Sequence, residues 1–272
     1  MHDTAPVAAA TAWLAAFADT LERRDIAATL ALFAEDCYWR DLIAFTWNVK
    51  TMEGKPAITA MLEATLEATA PESWELSQAK GGHTEPIEAW FTLKTGAGRG
   101  EGILTLENGK CRTILTTLKS LDGHEERLGP TRPKGVRHGA DRNRETWSEA
   151  RARQEAAFGN GEEPYCLIIG GGQGGIMLGA RLKQLGVPTV IVEKNARAGD
   201  SWRNRYRSLV LHDPVWYDHL PYIPFPANWP IFTPKDKMGD WLEMYVKVME
   251  LTYWGGTECV SAKFDDSSKR WT

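Results

Sequence analysis

An apolar run that ends in a cluster of glycines constrains this chain more than any other feature. In Tyr165-Cys-Leu-Ile-Ile-Gly-Gly-Gly-Gln-Gly-Gly175, Gly170, Gly172 and Gly175 take the spacing Gly-x-Gly-x-x-Gly, after a strand-like segment and ahead of a helix-like one. Residues 166–169 read as a buried parallel strand. Gly170 permits the tight turn out of it, Gly172 lets backbone approach a pyrophosphate, and Gly175 brings the helix close to the sheet. Gly179 adds a fourth small residue where helix and strand touch. A second strand, 189–192, ends in Glu193, where an acid accepts hydrogen bonds from a ribose. The helix start offers free N–H groups and a positive dipole end to phosphates. A glycine-rich surface loop without a ligand is the plain alternative. Strand, spacing, helix and terminal acid together favour a dinucleotide-binding βαβ unit.

The remainder of the chain is long enough for a second domain: 272 residues exceed the common size of one. A formal charge of −4 argues against non-specific nucleic-acid binding. No segment has the apolar length of a membrane span and no signal peptide is visible, so a cytoplasmic location is the default expectation. Cys37, Cys111, Cys166 and Cys259 are widely spaced, which indicates reduced core thiols, with neither a disulfide framework nor a metal site.

The first half has a different grammar. Trp13, Leu14, Phe17 and Leu21 recur at helical spacing, and Ile26, Leu30 and Phe33 form a second short amphipathic stretch behind an Asp25 cap. A β-like run follows over 37–45, and Gly54-Lys-Pro56 opens a third helix carrying Ile58, Met61, Leu62, Thr65 and Leu66. Strand-like segments come at 74–80, 84–95, 100–106 and 111–121, with Glu107-Asn-Gly-Lys110 as a hairpin turn. The order ααβαββββ describes an α+β domain with a curved sheet.

That order, with Phe33-Ala-Glu-Asp-Cys-Tyr-Trp-Arg-Asp41, resembles the NTF2-like or SnoaL-like family of cone-shaped domains over residues 7–121. Some members use a pocket acid as a base, which makes Asp41 and Asp36 candidates; others only bind a ligand or form a homodimer. An acid at a strand position is more often solvated or capping than catalytic. Trp39, Trp47 and Trp90 read as core or pocket wall.

Residues 122–163 read as a basic linker, with His124, Arg127, Arg132, Lys134, Arg137, His138, Arg142 and Arg144. Its end, 145–158, has the pattern of a short helix that sets Trp147, Ala150 and Phe158 against a neighbour.

Beyond it, the glycine fingerprint alone fits FAD and NAD equally, while Glu193 disfavours a 2′-phosphate. Gly199-Asp-Ser-Trp202-Arg-Asn-Arg-Tyr206, Leu209-Val-Leu-His212-Asp-Pro and Leu220-Pro-Tyr-Ile-Pro-Phe-Pro226 follow in order. This segment, 164–272, resembles the flavin-containing monooxygenases, the plant YUCCA-like branch and related microbial proteins in particular. The resemblance implies an incomplete Rossmann-type FAD domain. It assigns Gly170, Gly172, Gly175 and Glu193 to the ADP half of FAD, sets Ser201 and Trp202 nearer the flavin, and places His212 and Asp213 close to it. The second glycine of the family's Gly-Gly-x-Trp element is Asp200 here, and the polar pair carries His212 where animal members have Asn. Plain core remains an open role for Trp202, as does a structural role for His212. Thr233 as cap, Pro234 as first helical residue and the stripe Met238, Trp241, Leu242, Tyr245 and Met249 read as scaffold.

The family's reaction, oxygen-atom transfer to a small organic substrate through a flavin hydroperoxide, also needs NADPH, and no second glycine fingerprint occurs between Glu193 and Thr272. A strand at 258–264, a turn at 265–268 and the first residues of an unfinished return strand at Trp271 fit the N-terminal part of a longer enzyme, inactive as this chain alone. The competing expectation is a non-catalytic NTF2-like binder or dimer with a partial nucleotide-binding remnant.

Overall fold

The computed structural model describes residues 5–82, 85–136 and 138–272. The expectations for Thr84 and Arg137 fall outside them. The chain divides into two compact units, Met1–Glu125 and Glu126–Thr272.

The first unit runs α1 (Ala5–Glu22), α2 (Ile26–Ala31), β1 (Phe33–Leu42), β2 (Val49–Glu53), α3 (Gly54–Thr69), β3 (Ser73–Gly82), β4 (Glu85–Thr95), β5 (Gly98–Glu107) and β6 (Lys110–Leu121). Its sheet has the order β2-β1-β6-β5-β4-β3. The β1–β6 pair is parallel and the others are antiparallel. Rings interlock in the core: Trp13 stacks on Phe17 at 4.8 Å, and Phe17 meets Trp74 edge-on at 4.9 Å. Such contacts add to simple area burial. Asn108 and Gly109 both take positive φ, as the expected hairpin turn requires.

Three expectations need correction here. Phe33 does not extend α2; it starts β1, and there it is buried against Trp13 and Phe17. An additional strand, β2, pairs with β1, so the order is ααββαββββ. Its sequence Val-Lys-Thr-Met-Glu shows only one buried side chain, Met52, too few for a period to be read. Trp39 is core, but Trp47 is 61% exposed and lines no core.

The second unit holds α4 (Trp147–Ala157), β7 (Cys166–Ile169), α5 (Gln173–Gln184), β8 (Thr189–Glu193), α6 (Asp200–Arg203), α7 (Lys235–Val248), β9 (Tyr253–Gly255), β10 (Phe264–Asp265) and β11 (Arg270–Trp271). Thr146 and Glu149 close a capping box on α4. Trp147 is mostly exposed, with its indole N–H on Glu250. Strands β7, β8 and β9 form a parallel sheet in that order, with α5 crossing between the first two. Buried Ile176 and Ala180 of α5 join Ile168, Ile191, Met238, Leu242 and Tyr245 in one core. Tyr245 satisfies its buried hydroxyl on the Pro221 carbonyl at 2.6 Å.

The sheet's third strand, β9, was not expected, and of the expected strand at 258–264 only Phe264 is in a strand. The return strand at Arg270–Trp271 does pair, antiparallel to β10. Helix α7 starts one residue later than expected, at Lys235, with Pro234 as its N-cap, and the Thr233 hydroxyl accepts from Trp229 Nε1 at 2.9 Å.

Candidate functional site

The loop between β7 and α5 is tied down residue by residue. Gly170, at φ +104°, donates its N–H to the Val192 carbonyl at 2.9 Å. A Cβ on Gly175 would lie 2.0 Å from the Gly170 carbonyl oxygen, so the helix approaches the turn as only glycine allows. A Cβ on Gly179 would come within 2.6 Å of Ile191 Cδ1. Gly172 differs: a Cβ there meets nothing nearer than Ser201 Oγ, at 3.8 Å. It is the N-cap residue of α5, and the space beside it is free.

Glu193, 8% exposed, ends β8 beside this loop. Its Oε2 accepts from the Gly171 N–H at 2.7 Å, and its Oε1 accepts from the Asn195 backbone at 2.9 Å and side chain at 2.6 Å. Burial pushes this carboxyl up, but the hydrogen bonds from Asn195 and Gly171 outweigh it and leave the pKa below the ordinary carboxylate value. A carboxylate oxygen has room for two donors, and Oε2 holds one protein donor.

Ser201 and Trp202 come to the same loop on α6. The Ser201 hydroxyl is buried and has no hydrogen-bond partner among the described residues. Trp202 donates its indole N–H to Gln173 Oε1 at 3.0 Å, on the first residue of α5, while its ring packs partly against the core and carries Arg205 at 5.6 Å. Trp202 thus packs against the core with one edge tied to the start of α5. Asp200, where the family pattern has glycine, is buried and bonds Arg203 Nη1 at 3.0 Å. Arg203 in turn reaches Asp240 and Glu243 of α7, both at 2.8 Å. Burial raises the Asp200 pKa, and Arg203 and Arg197 reverse this to a net lowering. Arg203 thus ties α6 to α7, and Asp200 holds its guanidinium in place.

His212 and Asp213 stand apart. The His212 side chain is 91% exposed, with Nε2 3.8 Å from Asp213 Oδ2. The residues just before them are held beside 233–235, with the Leu211 N–H on the Thr233 carbonyl and the Lys235 N–H on the Leu209 carbonyl.

In the first unit, Asp41 is fully buried. It accepts from Thr116 Oγ1 at 2.7 Å, Phe45 N at 3.0 Å, and Thr46 N and Oγ1, both at 2.8 Å. Asp36 is exposed, 3.4 Å from Arg112. A groove of about 930 Å³ lies between α1 and the sheet, lined by Trp13, Leu32, Ile87 and Glu107 among others, and neither aspartate lines it. The geometry gives Asp41 a structural role in place of a base.

Sequence reasoning overlooked Gly171, Asn195, Arg203 and Tyr253. Gly171 is a third consecutive glycine where the fingerprint asks for none, and that surplus was the available signal: a Cβ there would fall 2.3 Å from Tyr253 Oη.

Residues 14–113 match the family model described as a SnoaL-like domain. The chain is 40% identical over 100 residues to an uncharacterized CzcO-like oxidoreductase of Geobacillus kaustophilus, covering 37% of this chain and 29% of that protein. It is 31% identical over 109 residues to the indole-3-pyruvate monooxygenase YUCCA1 of Oryza sativa subsp. japonica, covering 40% of this chain and 27% of that protein. A solved flavin-containing monooxygenase from Stenotrophomonas maltophilia aligns at 23% identity over 39% of this chain and 34% of its own, with a TM-score of 0.35. The chain thus spans less than a third of the length of these curated relatives. Similarity to the SnoaL-like domain model and similarity to proteins named oxidoreductase or monooxygenase thus fall on one sequence.

Proposed function

We propose that the second unit is the dinucleotide-binding part of a flavin-dependent monooxygenase, and that it holds the ADP half of FAD at the β7–α5 loop. The observation that carries this reading is the buried Ser201 hydroxyl without a partner, beside a glycine whose Cβ position is vacant at the start of a helix. A buried polar group is rarely left unmade, and a helix start suits an anion. The residues fit the group. Gly170 and Gly175 shape the turn, Gly172 leaves room for the pyrophosphate, Glu193 has an accepting lone pair left for a ribose hydroxyl, and Ser201 and Trp202 flank the cofactor. His212 and Asp213 belong to the same proposal as polar groups toward the flavin.

When bound, FAD supplies oxygen-atom transfer chemistry, with NADPH as the reductant and a small organic molecule as the substrate in the whole protein. The chain's own residues bind and orient. The relatives' names, monooxygenase and oxidoreductase, support the class of reaction.

Titration of the full chain with FAD and ADP tests this. Wild type is expected to bind both, and Gly172→Val neither, because a branched side chain occupies the pyrophosphate space. The variant's unfolding free energy should fall by no more than about 1 kcal/mol, the cost of Val in place of Gly at an N-cap, since a Cβ there meets only Ser201 Oγ, at 3.8 Å. Stoichiometric flavin on purified Gly172→Val overturns the assignment.

A further inference from the structure

The glycine loop contains two successive peptide planes, and each is fixed by a side chain from a different strand. The peptide joining Gly170 to Gly171 is set by Glu193 of β8, which takes the Gly171 N–H. Its carbonyl then lies against Gly175. The next peptide joins Gly171 to Gly172. Its carbonyl accepts from the hydroxyl of Tyr253, on β9, at 3.1 Å. In a trans peptide the carbonyl and the following N–H point in opposite directions, and no cis bond occurs among the described residues. Drawing the Gly171 carbonyl toward Tyr253 therefore turns the Gly172 N–H away from it. That N–H has no acceptor among the described residues.

We propose that Tyr253 is a positioning residue of the dinucleotide site, whose hydroxyl fixes the Gly171–Gly172 peptide and so presents the Gly172 N–H to the pyrophosphate. This rests on the proposed function. Two further features agree with it. Gly171 leaves the room the phenol needs: a Cβ would sit 2.3 Å from Oη and 2.5 Å from the ring carbon that carries it. The phenol also remains a proton donor, since burial and then the Glu193 and Asp200 carboxylates push its pKa up.

The experiment compares Tyr253→Phe with wild type, as full chains, using ADP and adenosine as probes. Removing one hydroxyl that aims a donor is expected to weaken ADP about fivefold. Adenosine lacks the pyrophosphate, so its affinity should be unchanged. Amide exchange across 170–173 should accelerate in the free protein, with the urea midpoint close to wild type. Gly171→Ala approaches the same contact from the loop side and, should the Phe variant fail to fold, should likewise weaken ADP and spare adenosine, with some loss of stability because its Cβ presses on the phenol. Equal weakening of ADP and adenosine would show a merely structural tyrosine and overturn the inference, as would unchanged ADP affinity. Wild type that binds neither FAD nor ADP would instead bring down the dinucleotide reading, and this inference with it.

Discussion

Asp41 sits one residue before the end of β1 in the first unit, and Glu193 ends β8 in the second; both are buried acids, and they differ in what occupies their lone pairs. Asp41 is 0% exposed, and its acceptor capacity goes to Thr116 and to the Phe45–Thr46 turn. That turn carries strain: Ile43 has φ +61° and Trp47 φ +51°. A β-branched residue in the left-handed region persists only when its surroundings over-determine it, and the Asp41 bonds do so. Glu193 instead shares its oxygens with one loop N–H and with Asn195, beside a loop whose Gly172 faces the unpartnered Ser201 hydroxyl. A buried acid at a strand end is therefore not a functional signal by itself. Asp41 holds four protein donors and Glu193 three, and that spare position on Glu193 is what the proposed ribose contact would use.

The largest effect that tests this contrast is Asp41→Ala. It leaves the Phe45 N–H and the Thr116 hydroxyl buried, and the Thr46 N–H partly buried, without their acceptor, and each fully buried group costs about 1–3 kcal/mol. A loss of roughly 3 kcal/mol or more is expected in urea unfolding of the first unit, followed by Trp fluorescence. ADP affinity should be unchanged. A stable variant with altered ligand turnover would make Asp41 a working acid after all.

Most of the βαβ unit was legible because its constraints are local. Glycine spacing, an apolar run of strand length and a terminal acid lie within thirty residues of one another, and backbone geometry leaves few ways to satisfy them. The helices of the first unit were legible from Trp13, Phe17, Ile58 and Leu62 for the same reason. What escaped were elements defined by partners remote in sequence. Strand β2 is recognisable only through its pairing with β1, and β9 only through β8, sixty residues earlier. The Tyr253 contact spans 82 residues. Trp47 misled because hydrophobicity records what a residue tolerates, not which way a strained turn points it. His212 carried a family position, and its 91% exposure is a fact of the fold alone.

A smaller effect separates packing from binding within the glycine loop. Gly175→Ala gains about 1 kcal/mol of helix propensity. Its Cβ, however, meets the Gly170 carbonyl at 2.0 Å, and overpacking costs about 1–3 kcal/mol. The clash wins, so thermal unfolding should show net destabilisation of the second unit, with ADP binding lost. The contrast is with Gly172→Val, which should lose binding with little loss of stability. A Gly175→Ala protein more stable than wild type would show that the helix does not press on the turn.

The smallest effect is a pH dependence at Glu193. Its folded pKa is lowered from an ordinary value of 4.5, with burial opposing and the Asn195 and Gly171 hydrogen bonds prevailing. The sign follows from linkage: a depressed carboxyl stabilises the fold at pH above its unfolded pKa, and that stabilisation is lost as the pH falls through the folded value. Between neutral pH and about pH 5 it is fully present. Below this the unfolded chain binds the proton more readily, and stability declines. Glu193→Gln has no such proton to bind, so its second unit should show a flatter decline under acid than wild type. The same variant cannot accept from Gly171, Asn195 and a ribose hydroxyl as a carboxylate does, and ADP affinity at neutral pH should fall as well. Urea unfolding at stepped pH measures the first effect and ADP titration the second. Parallel acid profiles for the two proteins would mean that Glu193 is not held by these bonds. Its difference from Asp41 would then lie in burial alone.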